Sequence, residues 1–240
     1  MHSAPRGRNL AGVIPLAGSK DNLNLPWPDY LQPLSEGYLA LERSVLECAN
    51  AGCDSIWIVC NDDVSPLVRK RIGDYVLSPR YLEEKRFVKR KDYHQRWIPV
   101  YYTPISVSDR QRRDCLGWSI LHGSLTAFQV SDKISKWTRP TKYFVSFPHG
   151  IYNTENIKSY RDAIRGPGTF SFSHNEKTVR DGLYLGFTFS PEHWPKFKWH
   201  MKNQCTGGSK SIPVEKRWSS RNFTLDKIFI DEKELKNRFL

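Results

Sequence analysis

Four short apolar or β-branched runs alternate along the chain with longer stretches in which apolar residues recur every three or four positions. Residues 12–16 and 55–60 are apolar almost throughout, the pattern of strands covered on both faces. Residues 97–103 (WIPVYYT) and 142–147 are β-branched and aromatic and read as the third and fourth strands, the former despite Pro99. Residues 38–51 have an amphipathic helical period, and a polar, Pro-rich loop separates them from the first strand. Residues 64–75 form a second helix with Val68, Ile72 and Tyr75 on one face, and Asn61-Asp62-Asp63 supplies its N-cap signal. Residues 116–130 make a third helix, in which Gly117 and Gly123 allow close backbone approach to the sheet or a ligand. Strand-helix alternation over the first 150 residues predicts an α/β fold, with a mainly parallel sheet in three layers and helices on both faces.

The pattern changes after Gly150. Residues 153–164 read as a helix capped by Thr154, and residues 168–173 and 182–190 as two aromatic strands around a polar turn, a hairpin-like insert. Residues 192–202 (EHWPKFKWHMK) interleave aromatics with lysines. That is the composition of an amphipathic element whose rings fill the core while its lysine stems reach solvent, with a single-strand nucleic-acid contact as the alternative. Residues 207–221 are rich in Gly, Ser and base. Residues 222–229 read as a strand and 231–239 as a terminal helix. The expected division is a basic arm over 1–11, an α/β core over 12–150, and a β-rich, aromatic C-terminal part over 151–240 that completes the sheet.

Composition adds a partner class and a compartment. The net charge of +12, from 37 Lys and Arg against 25 Asp and Glu, favours a polyanionic ligand: a nucleotide, a nucleic acid or an acidic surface. The five cysteines are odd in number and none forms a C-x-x-C pair. Most fall among apolar neighbours, which reads as buried thiols in a reducing, cytoplasmic setting. No apolar run is long enough to span a bilayer. G-x-S-x-G, G-x-x-x-x-G-K-[ST] and H-E-x-x-H are all absent, which argues against a hydrolase elbow, a P-loop and a zincin.

The first strand, the helix over 38–51 and the second strand form a βαβ unit, which binds ligands at the carboxyl ends of its strands. There the sequence places Gly18, Ser19 and Lys20, small residues exposing backbone N–H groups beside a cation suited to phosphate. Arg110, Arg112 and Arg113 follow the third strand and are a second phosphate-binding candidate. Charge-dense residues 83–96 read as a solvated face or a phosphate contact.

Five pieces of the chain resemble, in order, the motifs of a known family. They are Pro15-Leu16-Ala17-Gly18, Tyr30-Leu31-Gln32-Pro33-Leu34, Leu41-Glu42-Arg43-Ser44-Val45, residues 55–60, and the run from Arg112 to Gly123. They resemble the L-A-A-G-x-G-T-R strand end, the P-K-x-L-x-P-L element, the L-E-x-S-[IV] helix, the I-x-x-[IV]-x-V strand and the R-x-x-S-V-x-N-G-L helix of the nucleotidyltransferase branch of the GT-A-like α/β fold. The resemblance covers about residues 12–150. It implies a nucleotide or nucleotide-sugar held by Leu16, Ala17, Gly18, Ser19, Lys20, Arg110, Arg112, Arg113 and Ser119, with Mg²⁺ as cofactor. Lys20 and His149 are the catalytic candidates, and Asp226 and Asp231 the candidate metal ligands. The chain departs from the family at three points, the first that no lysine beside Tyr30 matches the P-K lysine. Residues 18–22 replace the G-x-G-T-R turn, and Pro148-His149-Gly150 stands where a strand like F-V-L-V-x-D would end on its metal-binding Asp. Two readings follow: a divergent nucleotidyltransferase-like or glycosyltransferase-like protein, or a basic binding or structural protein on a retained α/β scaffold that engages nucleic acid or an assembly partner.

Overall fold

The computed structural model describes residues 9–18, 25–79, 97–106, 115–205 and 235–239, with the backbone alone for 202–205 and 235–239. β1 (Leu10–Pro15) leads through a two-stranded antiparallel ribbon, β2 (Pro33–Ser35) and β3 (Tyr38–Leu39), into helix α1 (Ala40–Asn50) and strand β4 (Ser55–Asn61). Helix α2 (Ser65–Ile72), β5 (Tyr75–Leu77), β6 (Trp97–Ile105), the long helix α3 (Leu116–Ile134) and β7 (Lys142–Val145) follow. Beyond β7 come a 3-10 segment (Thr154–Tyr160), the short helix α4 (Arg161–Arg165), β8 (Thr169–Ser173), β9 (Phe187–Phe189), helix α5 (Trp194–Cys205) and β10 (Leu235–Phe239).

Among the described residues, eight strands form one sheet in the order β10-β8-β9-β7-β1-β4-β6-β5. β7, β1, β4 and β6 are mutually parallel, whereas β9 runs antiparallel to β7 and β8, and β5 antiparallel to β6. The four expected strands are therefore central and parallel, and the two aromatic strands extend the same sheet.

The period of two along each strand decides what each face covers. Leu10 and Ile14 of β1, with Leu16 just beyond it, pack with α1 residues Leu41, Val45 and Cys48 and with Ile157 and Ile164. Ala11, Val13 and Ala17 pack on the other side with Leu116, Ile120 and Leu121 of α3 and Phe197 and Met201 of α5. Gly123 lets α3 lie close on the sheet, since a Cβ there would come within 2.6 Å of Val59 and 3.0 Å of Val13. Cys48, Cys53, Cys60 and Cys115 are buried as thiols rather than as disulfides. Among the described residues no helix is long and apolar enough to cross a membrane.

Several boundaries differ from the sequence reading. Tyr38 and Leu39 are strand, and α1 starts at Ala40, where the Glu42 carboxylate accepts the Leu39 N–H at 2.7 Å. α2 ends at Gly73, which takes φ +83° as helix-ending glycines do, so Tyr75 belongs to β5. No side chain caps α2, whose N-cap is Val64 and whose first turn holds a proline. Asn153, rather than Thr154, caps the next segment by accepting the Glu155 N–H. The expected terminal helix over 231–239 is corrected at its end: Leu235–Phe239 is a strand pairing in parallel with β8. The edge of β8 offers unpaired backbone groups, whereas so short a helix is marginal on its own.

Candidate functional site

The strand order places β1 between β4 and β7, so the chain leaves β1 toward β4 on one side and returns to its other side only at β7. In an open α/β sheet the crevice at such a reversal, here at the carboxyl ends of β1 and β7, is the usual ligand position.

On the β1 side the chain turns toward β4, with the N–H groups of Leu16 and Ala17 both donating to Val59 O at 2.7 and 3.0 Å. Gly18 then takes φ +79°, and a Cβ there would lie 2.5 Å from the backbone nitrogen of Cys115, the N-cap of α3. Glycine is thus required both by the left-handed turn and by the close approach. Buried Ser119 donates from Oγ to Ala17 O at 2.5 Å, a strut between the first turn of α3 and the β1 turn. The structure therefore brings Leu16, Ala17, Gly18 and Ser119 together. The side chains of Leu16, Ala17 and Ser119 are buried and work structurally. Ser19, Lys20, Arg110, Arg112, Arg113, Asp226 and Asp231, and the charge-dense run over 83–96, lie outside the described residues.

On the β7 side, Ser146 and Phe147 are buried, and a Cβ on Gly150 would strike Tyr184 O. His149 is half-buried, its ring centroid 5.0 Å from that of Tyr184. Beneath this turn lies a network the sequence reading missed. Arg43 pairs with Glu47 at 3.0 Å, both buried on α1, and its Nη2 donates to Phe147 O at 2.6 Å. Ser146 Oγ donates to Glu47 Oε2 at 2.5 Å, and Tyr152 OH donates to Glu47 Oε1. The guanidinium also stands 4.7 Å from the centroid of the Tyr152 ring, an attractive cation-ring position. Burial pushes the Glu47 carboxyl above its ordinary value, while Arg43, Ser146 and Tyr152 pull it back down. Burial, with the Glu47 carboxylate adding to it, pushes the Tyr152 hydroxyl well up. The only sequence trace was Arg43 and Glu47 standing four apart on a helix, a spacing that ordinarily marks a surface pair.

A Mg²⁺ ion needs hard oxygen ligands. At the end of β7 the Ser146 hydroxyl is committed to Glu47, and Glu47 is fully buried with both oxygens engaged. The described residues of the β7 end do not fit the ion. Among the described residues, no group of three or more His, Cys, Asp and Glu is placed to hold a metal.

No family model matches the chain, and no curated protein matches it in sequence. Solved structures do. A putative glucose-1-phosphate thymidylyltransferase from Bacillus anthracis, in complex with a sucrose, superposes with a TM-score of 0.57 at 9% identity, covering 96% of this chain and 87% of that one. Rv0371c from Mycobacterium tuberculosis superposes with a TM-score of 0.53 at 10% identity, covering 98% and 89%. The chain carries a nucleotidyltransferase-like α/β fold. Within this nucleotidyltransferase-like fold, two of the three large rings of the basic aromatic run over 192–202 pack on the core. Phe197 is buried against Phe189, and Trp194 donates from Nε1 to Ser124 Oγ at 3.1 Å while its ring meets Phe128 edge-on, so of its three large rings Trp199 alone is well exposed.

Proposed function

We propose that the chain is a divergent nucleotidyltransferase-like or glycosyltransferase-like protein that binds a nucleotide or nucleotide-sugar at the carboxyl ends of β1 and β7. The observation that carries this reading is the Gly18 turn seated against the N-terminus of the 19-residue helix α3, at the point where the strand order reverses. Backbone N–H groups at such a helix start favour anions, and this is the position we assign to the phosphates. Lys20 follows the turn and Arg110, Arg112 and Arg113 precede Cys115 in the sequence, and we assign them to the phosphate charge. The fold of the thymidylyltransferase neighbour supports a sugar nucleotide as the ligand class. In this reading residues 12–150 supply the nucleotide site, residues 151–240 complete the sheet, and the buried thiols suit a reducing cytoplasm.

The protein would orient an acceptor for in-line attack at phosphorus and stabilise charge, with no covalent step on a side chain. No step is assigned to a metal. Asp226 and Asp231 are the carboxylates we would test for one, and His149 and Lys20 the catalytic candidates. One observation favours a second, non-catalytic reading: where a metal carboxylate would end β7, the chain has a turn locked from below by Arg43 and Glu47. A basic binding protein could keep that scaffold and dispense with the metal.

A thermal-shift series with nucleoside triphosphates and nucleotide-sugars, with and without Mg²⁺, tests the proposal. A ligand at one hundred times its Kd stabilises by about 2.7 kcal/mol. A shift that survives chelation and falls in Lys20→Ala supports the nucleotide site. No shift with any of them leaves the second reading.

A further inference from the structure

We propose that the β5–β6 edge of the sheet carries a stacking platform for single-stranded nucleic acid, separate from the crevice at the ends of β1 and β7. In the β5–β6 register Tyr75 lies opposite Pro99, and Trp97 and Tyr101 stand two residues to either side of Pro99 on β6. The pleat puts residues 97, 99 and 101 on one face, and Tyr75 shares that face through its pairing. The opposite face is filled by Ile98 and Val100, which join the core cluster that includes Val68 of α2. Trp97, Tyr101 and Tyr75 are 41%, 36% and 63% exposed. As diagonal neighbours across a strand pair, Tyr75 and each of the other two residues are about 7–8 Å apart, so the three share one patch of the sheet face. Tyr101 is already oriented, since its ring stacks on Trp57 with centroids 4.3 Å apart and planes inclined by 24°.

Exposed aromatics on a sheet face are how unstacked bases are held, largely without regard to sequence. Charge selects this occupant over a second copy of the chain. The net charge of +12 attracts a polyanion and repels an identical partner, and residues 80–96, which join β5 to β6 in the sequence, hold seven Lys and Arg against three Asp and Glu. The platform does not depend on the nucleotide reading, because Trp97 lies at the amino end of β6, away from the crevice.

The test is fluorescence anisotropy of a short labelled oligouridylate across a salt series, with wild type, Trp97→Ala, Tyr101→Ala and Trp97→Phe. Wild type should bind, each alanine variant should weaken binding by about 5- to 150-fold, and Trp97→Phe should retain most of it. The slope of affinity against salt should be unchanged in the variants, because a stacked base is lost and no phosphate contact is. Tryptophan fluorescence of the wild type should quench on titration, a readout that needs no variant to fold. Absence of single-strand binding, or alanine variants that bind like wild type, would overturn the proposal. So would a wild-type dimer that Trp97→Ala converts to monomer in sedimentation, which would assign this face to a second copy.

Discussion

Replacing Arg43 by Met should be among the most damaging single changes in the described chain. Arg43 and Glu47 are both buried, so the substitution leaves a carboxylate with the Ser146 and Tyr152 donors but no countercharge. It also strips Phe147 O of the donor 2.6 Å away. Breaking a buried pair by removing one partner costs about 3–5 kcal/mol, a large share of the roughly 5–15 kcal/mol that holds a domain folded. With a urea dependence of about 2–3 kcal/mol per molar, the unfolding midpoint should drop by roughly 1–2 M. Glu47→Met should cost a similar amount by stranding the guanidinium. The double variant, which removes both charges, should be less damaged than the sum of the singles by about 2 kcal/mol or more. Urea denaturation of the four proteins at neutral pH reads all of this. An Arg43→Met cost under about 1 kcal/mol, or additivity within about 0.5 kcal/mol, would refute the claim that this pair locks the β7 turn.

Two further outcomes are expected. Burial raises the Glu47 carboxyl above its ordinary value of 4.5, so over that window the folded chain keeps a proton the unfolded chain has lost, and stability falls as pH rises. The stability of wild type relative to Glu47→Gln should therefore be greatest below pH 4.5 and decline as pH rises, and a difference that grows with pH in urea titrations would contradict the shift. Gly123→Val should lower the melting temperature, since a Cβ alone would already lie within 2.6 Å of Val59. Overpacking costs about 1–3 kcal/mol and outweighs the helix-propensity gain over glycine of under about 1 kcal/mol, so an unchanged melting temperature would show that α3 sits farther from the sheet.

The central sheet was legible because buried parallel strands are apolar throughout and the helices between them are periodic, so β1, β4, β6, β7, α1 and α3 all stood out. Leu235–Phe239 was not, because a five-residue run fits either period, and the free edge of β8, remote in sequence, makes it a strand. The Gly18 turn could be found because a glycine just past a strand end has few other uses. Arg43 and Glu47 could not, because charges four apart on a helix usually face solvent. Their burial is imposed by Ser146, Phe147 and Tyr152, contributed about one hundred residues later. The rings of Trp194 and Phe197 had two readings in the sequence, and the core-filling one holds. Their lysine neighbours also fitted a nucleic-acid face, but α5 packs on β9 and α3, which buries Phe197 and half-buries Trp194.

The account turns on where a nucleotide binds, and hydrogen exchange read by mass spectrometry measures that directly. With a saturating nucleotide or nucleotide-sugar identified by thermal shift, protection should rise in peptides covering residues 10–18 and 115–122. Gly18→Ala, which forces a Cβ onto the Cys115 backbone at a left-handed φ, should abolish it. Protection confined to other peptides, or the same protection in Gly18→Ala, would contradict a site at the ends of β1 and β7.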